Sequence, residues 1–96
     1  MKHALLLALV VGATMAGQPA RRAAALVVIG GTVLTQDAAH RTLSPGAIAI
    51  DGTDIVDIDT PEAIAAKYAA SETIDARSDI VLPGLINAHT HAPMVM

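Results

Sequence analysis

Two histidines near the end of the sequence, His89 and His91, have the type and spacing to do chemistry. Side chains alternate along a β-strand, so residues two apart project from one face, about 6.6 Å apart along the chain. Two imidazoles placed this way can converge on one metal ion, with each nitrogen about 2.0–2.1 Å from a zinc ion. The alternative is a pair of hydrogen-bonded core histidines. The pair therefore predicts a metal site, with a structural role as the alternative.

The sequence around the two histidines predicts a buried strand. Pro83-Gly84 favours a tight turn, because proline fixes φ and glycine accepts a positive φ. Apolar residues over 85–91 fall on both faces of a strand, which is typical of a parallel sheet covered on both sides. Burying two imidazoles without partners would be costly, and this cost favours metal ligation. A catalytic zinc site still requires three protein ligands and an open position for water.

The remaining histidines and carboxylates are not expected to complete the ligand set. His3 lies in the short basic start of the predicted export signal, and His40 lies in a polar loop. Four carboxylates lie in turns, on a solvent-facing strand or at a helix start, where solvated structural roles are expected. These are Asp51, Asp54, Asp57 and Glu62. The rest of the site is therefore predicted to come from elsewhere.

Short strands joined by turns are predicted to precede the histidines. Gly30-Gly31 separates two apolar runs, and Asp51-Gly52 separates two more. Such pairs suit two-residue hairpin turns, in which both turn residues take positive φ. The predicted hairpins are 26–29 with 32–35, and 46–50 with 55–58. Together they predict a small antiparallel sheet, with a polar loop between the two hairpins.

One helix is predicted after the second hairpin. Thr60 can cap it, and Pro61 suits the first helical position. Alanines as far as Ala70 are strong helix formers. Ile64 and Tyr68, four residues apart, would share the buried face. Two further strands are predicted, over 72–75 and 80–82.

The composition excludes several classes of function. Six basic against nine acidic residues give a net charge of −3, so the chain lacks the electrostatic footprint of a nucleic-acid-binding protein. Tyr68 is the only aromatic residue and cysteine is absent, which excludes base-stacking platforms, disulfide frameworks and thiol nucleophiles. Without Phe or Trp, 96 residues provide a small core for a free-standing fold. The sequence is therefore expected to be a piece of a larger protein.

Residues 1–20 have the layout of a secretory signal peptide. A short basic start precedes an apolar run over 4–13, which is too short for the about 20 residues that a transmembrane helix needs. Cleavage is expected after Ala16, or alternatively after Ala20 or Ala25. The protein is thus expected to be secreted or periplasmic, with no stable membrane anchor after cleavage. The alternative is an N-terminal helix packed on the domain.

The order of these motifs resembles the amidohydrolase superfamily of metal-dependent hydrolases. The resemblance extends from about Leu26 to Met96 and is carried by four segments, 29–35, 46–52, 73–76 and 80–94. It implies an α/β protein that is mainly β here. Residues 25–82 would form the N-terminal part of a composite β-sandwich domain. Residues 83–96 would begin a truncated (β/α)8 barrel, a fold that typically takes about 250 residues.

The resemblance also implies a reaction. His89 and His91 would fall on the first two metal ligands, with zinc as the expected divalent ion. Asn87, where many relatives carry Asp, and Ala92-Pro93-Met94 look most like the branch of aminohydrolases and chlorohydrolases that act on purine- or triazine-like heterocycles. The implied activity is hydrolysis of C–N bonds other than peptide bonds, as in the deamination of a nitrogen heterocycle.

Several alternatives stay open. The general base and further ligands would lie beyond residue 96, so the fragment alone is expected to be inactive. Another small-molecule substrate class, cyclic amides or N-acyl amino acids, is the alternative within this family. A secreted β-module that adds strands to a partner is the non-enzymatic alternative. An oligomer is possible for the full-length enzyme.

Overall fold

The computed structural model describes residues 19–89, which are mainly β with one short helix. The expectation of a mainly β segment is confirmed. The elements are β1 (Arg22–Ile29), β2 (Thr32–Leu34), β3 (Thr42–Leu43), β4 (Ala47–Asp51), β5 (Asp54–Asp59), α1 (Pro61–Lys67), β6 (Tyr68–Asp75) and β7 (Ile80–Val81). The N-terminal part of the predicted signal peptide, Thr90 and His91 lie outside the described residues.

The strands form two sheets. The larger sheet has the order β5-β4-β1-β6, and the smaller has the order β3-β2-β7. In the larger sheet β1 is antiparallel to β4 but parallel to β6, with Val27 opposite both Ala49 and Thr73. In the smaller sheet β2 is antiparallel to β3 and parallel to β7. Both sheets are therefore mixed, and the predicted antiparallel sheet is wrong in this respect.

The predicted hairpin at Gly30-Gly31 is also wrong, because the chain passes there from one sheet to the other. β1 and β2 belong to different sheets and do not pair. Gly30 takes φ +94° and its N–H donates to the carbonyl of Gly46, at 2.9 Å. The Gly46 N–H donates in turn to the carbonyl of Gly31, at 2.8 Å. The glycine pair thus serves a crossing: Gly30 supplies a positive φ, and Gly31 leaves room for the Ala76 carbonyl oxygen, which would lie 2.8 Å from a Cβ at that position.

The second predicted hairpin is confirmed. β4 and β5 are antiparallel neighbours, with Ile48 opposite Ile58. Gly52 takes φ +59° in the two-residue turn, a conformation that glycine adopts without the Cβ penalty. A bulge between Ala49 and Ile50 shifts the register along the hairpin.

The helix begins as predicted but ends earlier. The Thr60 side chain accepts a hydrogen bond from the Ala63 N–H at 3.3 Å, and Pro61 occupies the first helical turn. The last helical residue is Lys67, whereas helix was predicted as far as Ala70. Tyr68 already pairs with Arg22 of β1. Sheet pairing therefore overrides the helix propensity of the alanines.

The main core lies between the larger sheet and α1. Ile64 is 1% exposed and packs with Tyr68 and with the alanines of β4, Ala47 and Ala49. The predicted burial of Ile64 and Tyr68 on one face is confirmed. Ile48 points to the other face of the sheet, where it lines a cavity with Val33 of β2. The small side chains of β4 thus leave room for α1 on one face of the larger sheet, and Ile48 faces the smaller sheet on the other.

Candidate metal site

The predicted metal-binding segment continues from β7, which is an edge strand of the smaller sheet. Leu82 and Pro83 line a cavity of about 80 Å³ with Val33 and Ile48, so the start of the segment rests against the domain. Beyond them, Leu85 is 88% and Ile86 93% exposed. The segment therefore leaves the domain after Pro83.

Residues 85–89 form no strand in this structure, in contrast to the buried strand predicted over 85–91 from its apolar pattern. The physical reason is that a strand apolar on both faces is stable only between neighbouring strands and covering layers. Within the described residues no strand pairs with this segment. The exposed side chains of Leu85 and Ile86 show how much apolar surface it offers for such packing.

Of the two predicted ligands, the structure describes His89 and not His91. His89 is exposed, and its backbone N–H donates to the side-chain Oδ1 of Asn87 at 2.9 Å. This contact was not predicted from the sequence. The available signal was the position of an asparagine two residues before the histidine, since Asn side chains bond to backbone groups two residues on.

The donor chemistry of the segment fits part of a zinc site. Imidazole nitrogen is a preferred zinc ligand. A zinc ion bound to an exposed histidine can also be coordinated by side chains from other segments. Among residues 19–89 no group of three or more His, Cys, Asp or Glu side chains is arranged to hold a metal ion. His40 lies in the loop between β2 and β3, where its backbone N–H donates to the backbone carbonyl of Asp37. His89 and His91 could therefore supply two ligands but not a complete site.

Two carboxylates of β5, those of Asp57 and Asp59, are engaged in structural contacts. Lys67 is the last residue of α1, and its Nζ lies 2.6 Å from Oδ2 of Asp57 and 3.5 Å from Oδ2 of Asp59. The hydrogen bond to Lys67 lowers the pKa of the Asp57 carboxyl, and the same contact raises the pKa of Lys67. The structural role predicted for Asp57 is confirmed. Its ion pair ties the helix to the sheet.

A polar cleft lies at the bend between β6 and β7. Its lining residues are Asp75, Arg77, Ser78 and Asp79. Arg77 donates to both carboxylate oxygens of Asp75, at 3.0 and 2.9 Å from Nε, and the hydrogen bond from Arg77 lowers the pKa of Asp75. These two charges compensate each other. The Arg77 backbone N–H also donates to Oδ1 of Asp75, at 3.1 Å, so the pair has a structural role at the bend.

Comparison with known sequences finds close relatives, although no family model matches the chain. The chain is 45% identical over 71 residues to a 5-methylthioadenosine/S-adenosylhomocysteine deaminase from Syntrophobacter fumaroxidans. The match covers 74% of this chain and 16% of the relative. The chain thus spans about a sixth of the length of this relative.

Solved structures give a consistent result. A variant of triazine hydrolase superposes with a TM-score of 0.58 at 40% sequence identity, over 69% of this chain and 14% of the other. A protein from Bacillus thuringiensis superposes with a TM-score of 0.53 at 23% identity, over 77% of this chain and 97% of the other, which indicates a shared fold.

These relatives point to the amidohydrolase superfamily, in its branch of deaminases and chlorohydrolases. The mainly β fold is consistent with the N-terminal β domain of such an enzyme. The resemblance seen in the sequence is confirmed.

Proposed function

We propose that this chain is the N-terminal part of a metal-dependent amidohydrolase that deaminates a nitrogen heterocycle, with adenosine derivatives as the first substrates to test. The observation that carries the proposal is the 45% identity to a deaminase named for two adenosine derivatives. The similarity to a triazine hydrolase supports a nitrogen heterocycle as the substrate class.

His89 and His91 would hold a divalent ion, for which zinc is the first candidate because imidazole is among its preferred ligands. Such an ion, when bound, lowers the pKa of its water to about 7 and so makes hydroxide available at neutral pH. The two histidines leave at least one ligand and the general base to come from residues beyond this sequence. Their role is to hold the ion at the end of the segment that leaves the domain after Pro83.

The overall reaction balances without any redox partner. Water supplies the oxygen that bonds to the ring carbon carrying the amino group, and the bond between that carbon and the amino nitrogen breaks. The nitrogen leaves as ammonia after taking up one proton of the water, and the other proton stays on a ring nitrogen beside the new carbonyl. No residue described in the structure is assigned to these proton transfers.

The domain organisation follows from the same proposal. Residues 25–82 would be the N-terminal part of a composite β-sandwich domain, and residues 83–96 would begin the catalytic barrel. The exposed Leu85 and Ile86 support this, since both would be covered when the segment packs as a barrel strand. Residues 1–20 would direct export, placing the enzyme outside the cytoplasm.

Ammonia release by the full-length protein tests the proposal. The purified enzyme should release ammonia from 5-methylthioadenosine or another adenosine derivative. A cyclic amide and an N-acylated amino acid, tested in parallel, should not be hydrolysed at a comparable rate. Hydrolysis of either of these with no ammonia released from any adenosine or triazine derivative would show that the substrate class is wrong.

A further inference from the structure

Apolar side chains gather where the chain leaves the β domain. Ile55 of β5 is 61% exposed and Leu82, directly after β7, is 45% exposed. Both line the cavity of about 80 Å³ described above, together with Pro83, which is also exposed. These three side chains therefore form one continuous apolar surface, here called the exit patch. Contiguous exposed apolar surface of this kind marks a site of interaction, whereas single exposed apolar residues do not.

The two sheets fix the position of the exit patch. Ile55 lies in β5, which pairs with β4 in the larger sheet. Leu82 follows Val81, which pairs with Val33 in the smaller sheet. The patch thus depends on the folded domain and not on the conformation of residues 85–89. It also lies on the face of the larger sheet opposite α1, so the helix does not cover it.

The covalent connection favours one occupant over others. Leu82 and Leu85 are three residues apart, so their Cα atoms are separated by at most about 11 Å. Leu85 and Ile86 are 88% and 93% exposed, so the structure that begins with them has apolar surface of its own to bury. A partner attached through so short a connection has an effective concentration in the millimolar range, which a separate molecule does not reach.

We propose that the exit patch is the surface on which the catalytic barrel docks, and that Ile55 is buried against that barrel in the full-length enzyme. The inference rests on the domain organisation given with the proposed function, because it takes residues 83–96 as the start of the barrel. This chain spans about a sixth of the deaminase to which it is 45% identical, so an enzyme of that length has ample residues to cover the patch. Docking would hold the first barrel strand, with His89 and His91, in a fixed position relative to the β domain.

Thiol labelling of the full-length protein tests whether the patch is covered. An uncovered Ile55→Cys should react with a thiol reagent within a few-fold of its rate in urea-unfolded protein, because position 55 is exposed in the β domain. Docking should make this reaction at least about 10-fold slower than in unfolded protein. The matched control is Ala66→Cys on the exposed side of α1, which should react within a few-fold of its unfolded rate. Mass spectrometry of the labelled peptide gives each rate, and a cooperative urea transition shows that each variant is folded.

A photochemical cross-link identifies what covers the patch. A diazirine analogue of leucine is placed at position 55 of the full-length protein and irradiated, and the cross-linked peptides are identified by mass spectrometry. The inference predicts cross-links within one molecule, to the barrel that residues 85–96 begin. Cross-links to a second copy, or only to segments outside the barrel, would overturn it, and so would fast labelling of Ile55→Cys.

The same protein preparation separates this inference from the substrate class. If Ile55→Cys labels fast in an enzyme that releases ammonia from an adenosine derivative, the docking surface is wrong and the proposed function stands. If Ile55→Cys is protected and cross-linked to the barrel while no heterocycle is deaminated, the docking surface stands and the substrate class is wrong.

Discussion

Replacement of single glycines by alanine should separate steric from conformational effects in this fold. A Cβ on Gly31 would lie 2.8 Å from the Ala76 carbonyl oxygen and 3.0 Å from that of Asp79. Both are backbone atoms in the bend that joins the two sheets, so the strain cannot be relieved by rotating a side chain. Overpacking of this kind typically costs about 1–3 kcal/mol. Gly31→Ala should therefore remove much of the about 3–5 kcal/mol that a domain of this size supplies.

Two other glycines provide matched controls. Gly52 has φ +59°, but an alanine Cβ at this position would meet no atom within 4 Å. Gly52→Ala should therefore cost only about 1–2 kcal/mol, which is the penalty for placing alanine in a left-handed conformation. Gly84 also has no such neighbour and no positive φ, so Gly84→Ala should change stability by less than about 0.5 kcal/mol. The expected order of destabilisation is Gly31, then Gly52, then Gly84.

Urea denaturation followed by tyrosine fluorescence measures this order. Tyr68 is the only aromatic residue and is 9% exposed in the main core, so its signal reports that core alone. With a slope of about 1 kcal/mol/M, a loss of about 2 kcal/mol moves the midpoint by about 2 M. A Gly31→Ala variant as stable as Gly84→Ala would refute the packing described at the crossing between the sheets.

Two further predictions concern export and pH. N-terminal sequencing of protein from a secreting host should find a start after Ala16 or Ala20. Cleavage after Ala25 would remove Ala24, a residue of β1 that is 1% exposed in the main core. An intact Met1 on cytoplasmic protein would contradict export. Lys67→Met should destabilise the domain between about pH 4 and pH 10 and not below that range. The ion pair lowers the pKa of Asp57 and raises the pKa of Lys67. The stabilisation that the ion pair gives the domain is therefore lost as acid protonates Asp57 or base deprotonates Lys67. A constant difference down to about pH 2 would show that the ion pair is not its cause.

Local signals in the sequence were sufficient for the elements whose contacts are local. Gly52 marks the β4–β5 turn, and Thr60 with Pro61 marks the start of α1. In each case the residue determines the backbone conformation at its own position. These elements could therefore be predicted without knowing the rest of the fold.

Partners distant in the chain could not be predicted in the same way. The Gly30-Gly31 pair suits a hairpin and a crossing between sheets equally well, and the pairing of β1 with β4 and β6 decided between them. Tyr68 pairs with Arg22, which lies far earlier in the chain. This pairing ends the helix at Lys67, although helix-forming alanines follow. For the site, spacing indicated His89 and His91 as a pair, but only the structure revealed the contact from Asn87.

The metal content of histidine variants of the full-length enzyme tests the central claim most directly. His89→Ala and His91→Ala should each lose most of the bound metal and nearly all hydrolysis, because the ion is then short of a ligand. His40→Ala, in the loop between β2 and β3, should keep both. Elemental analysis beside an ammonia-release assay gives the answer. Full metal and full activity in both His89→Ala and His91→Ala would contradict the assignment of the metal site.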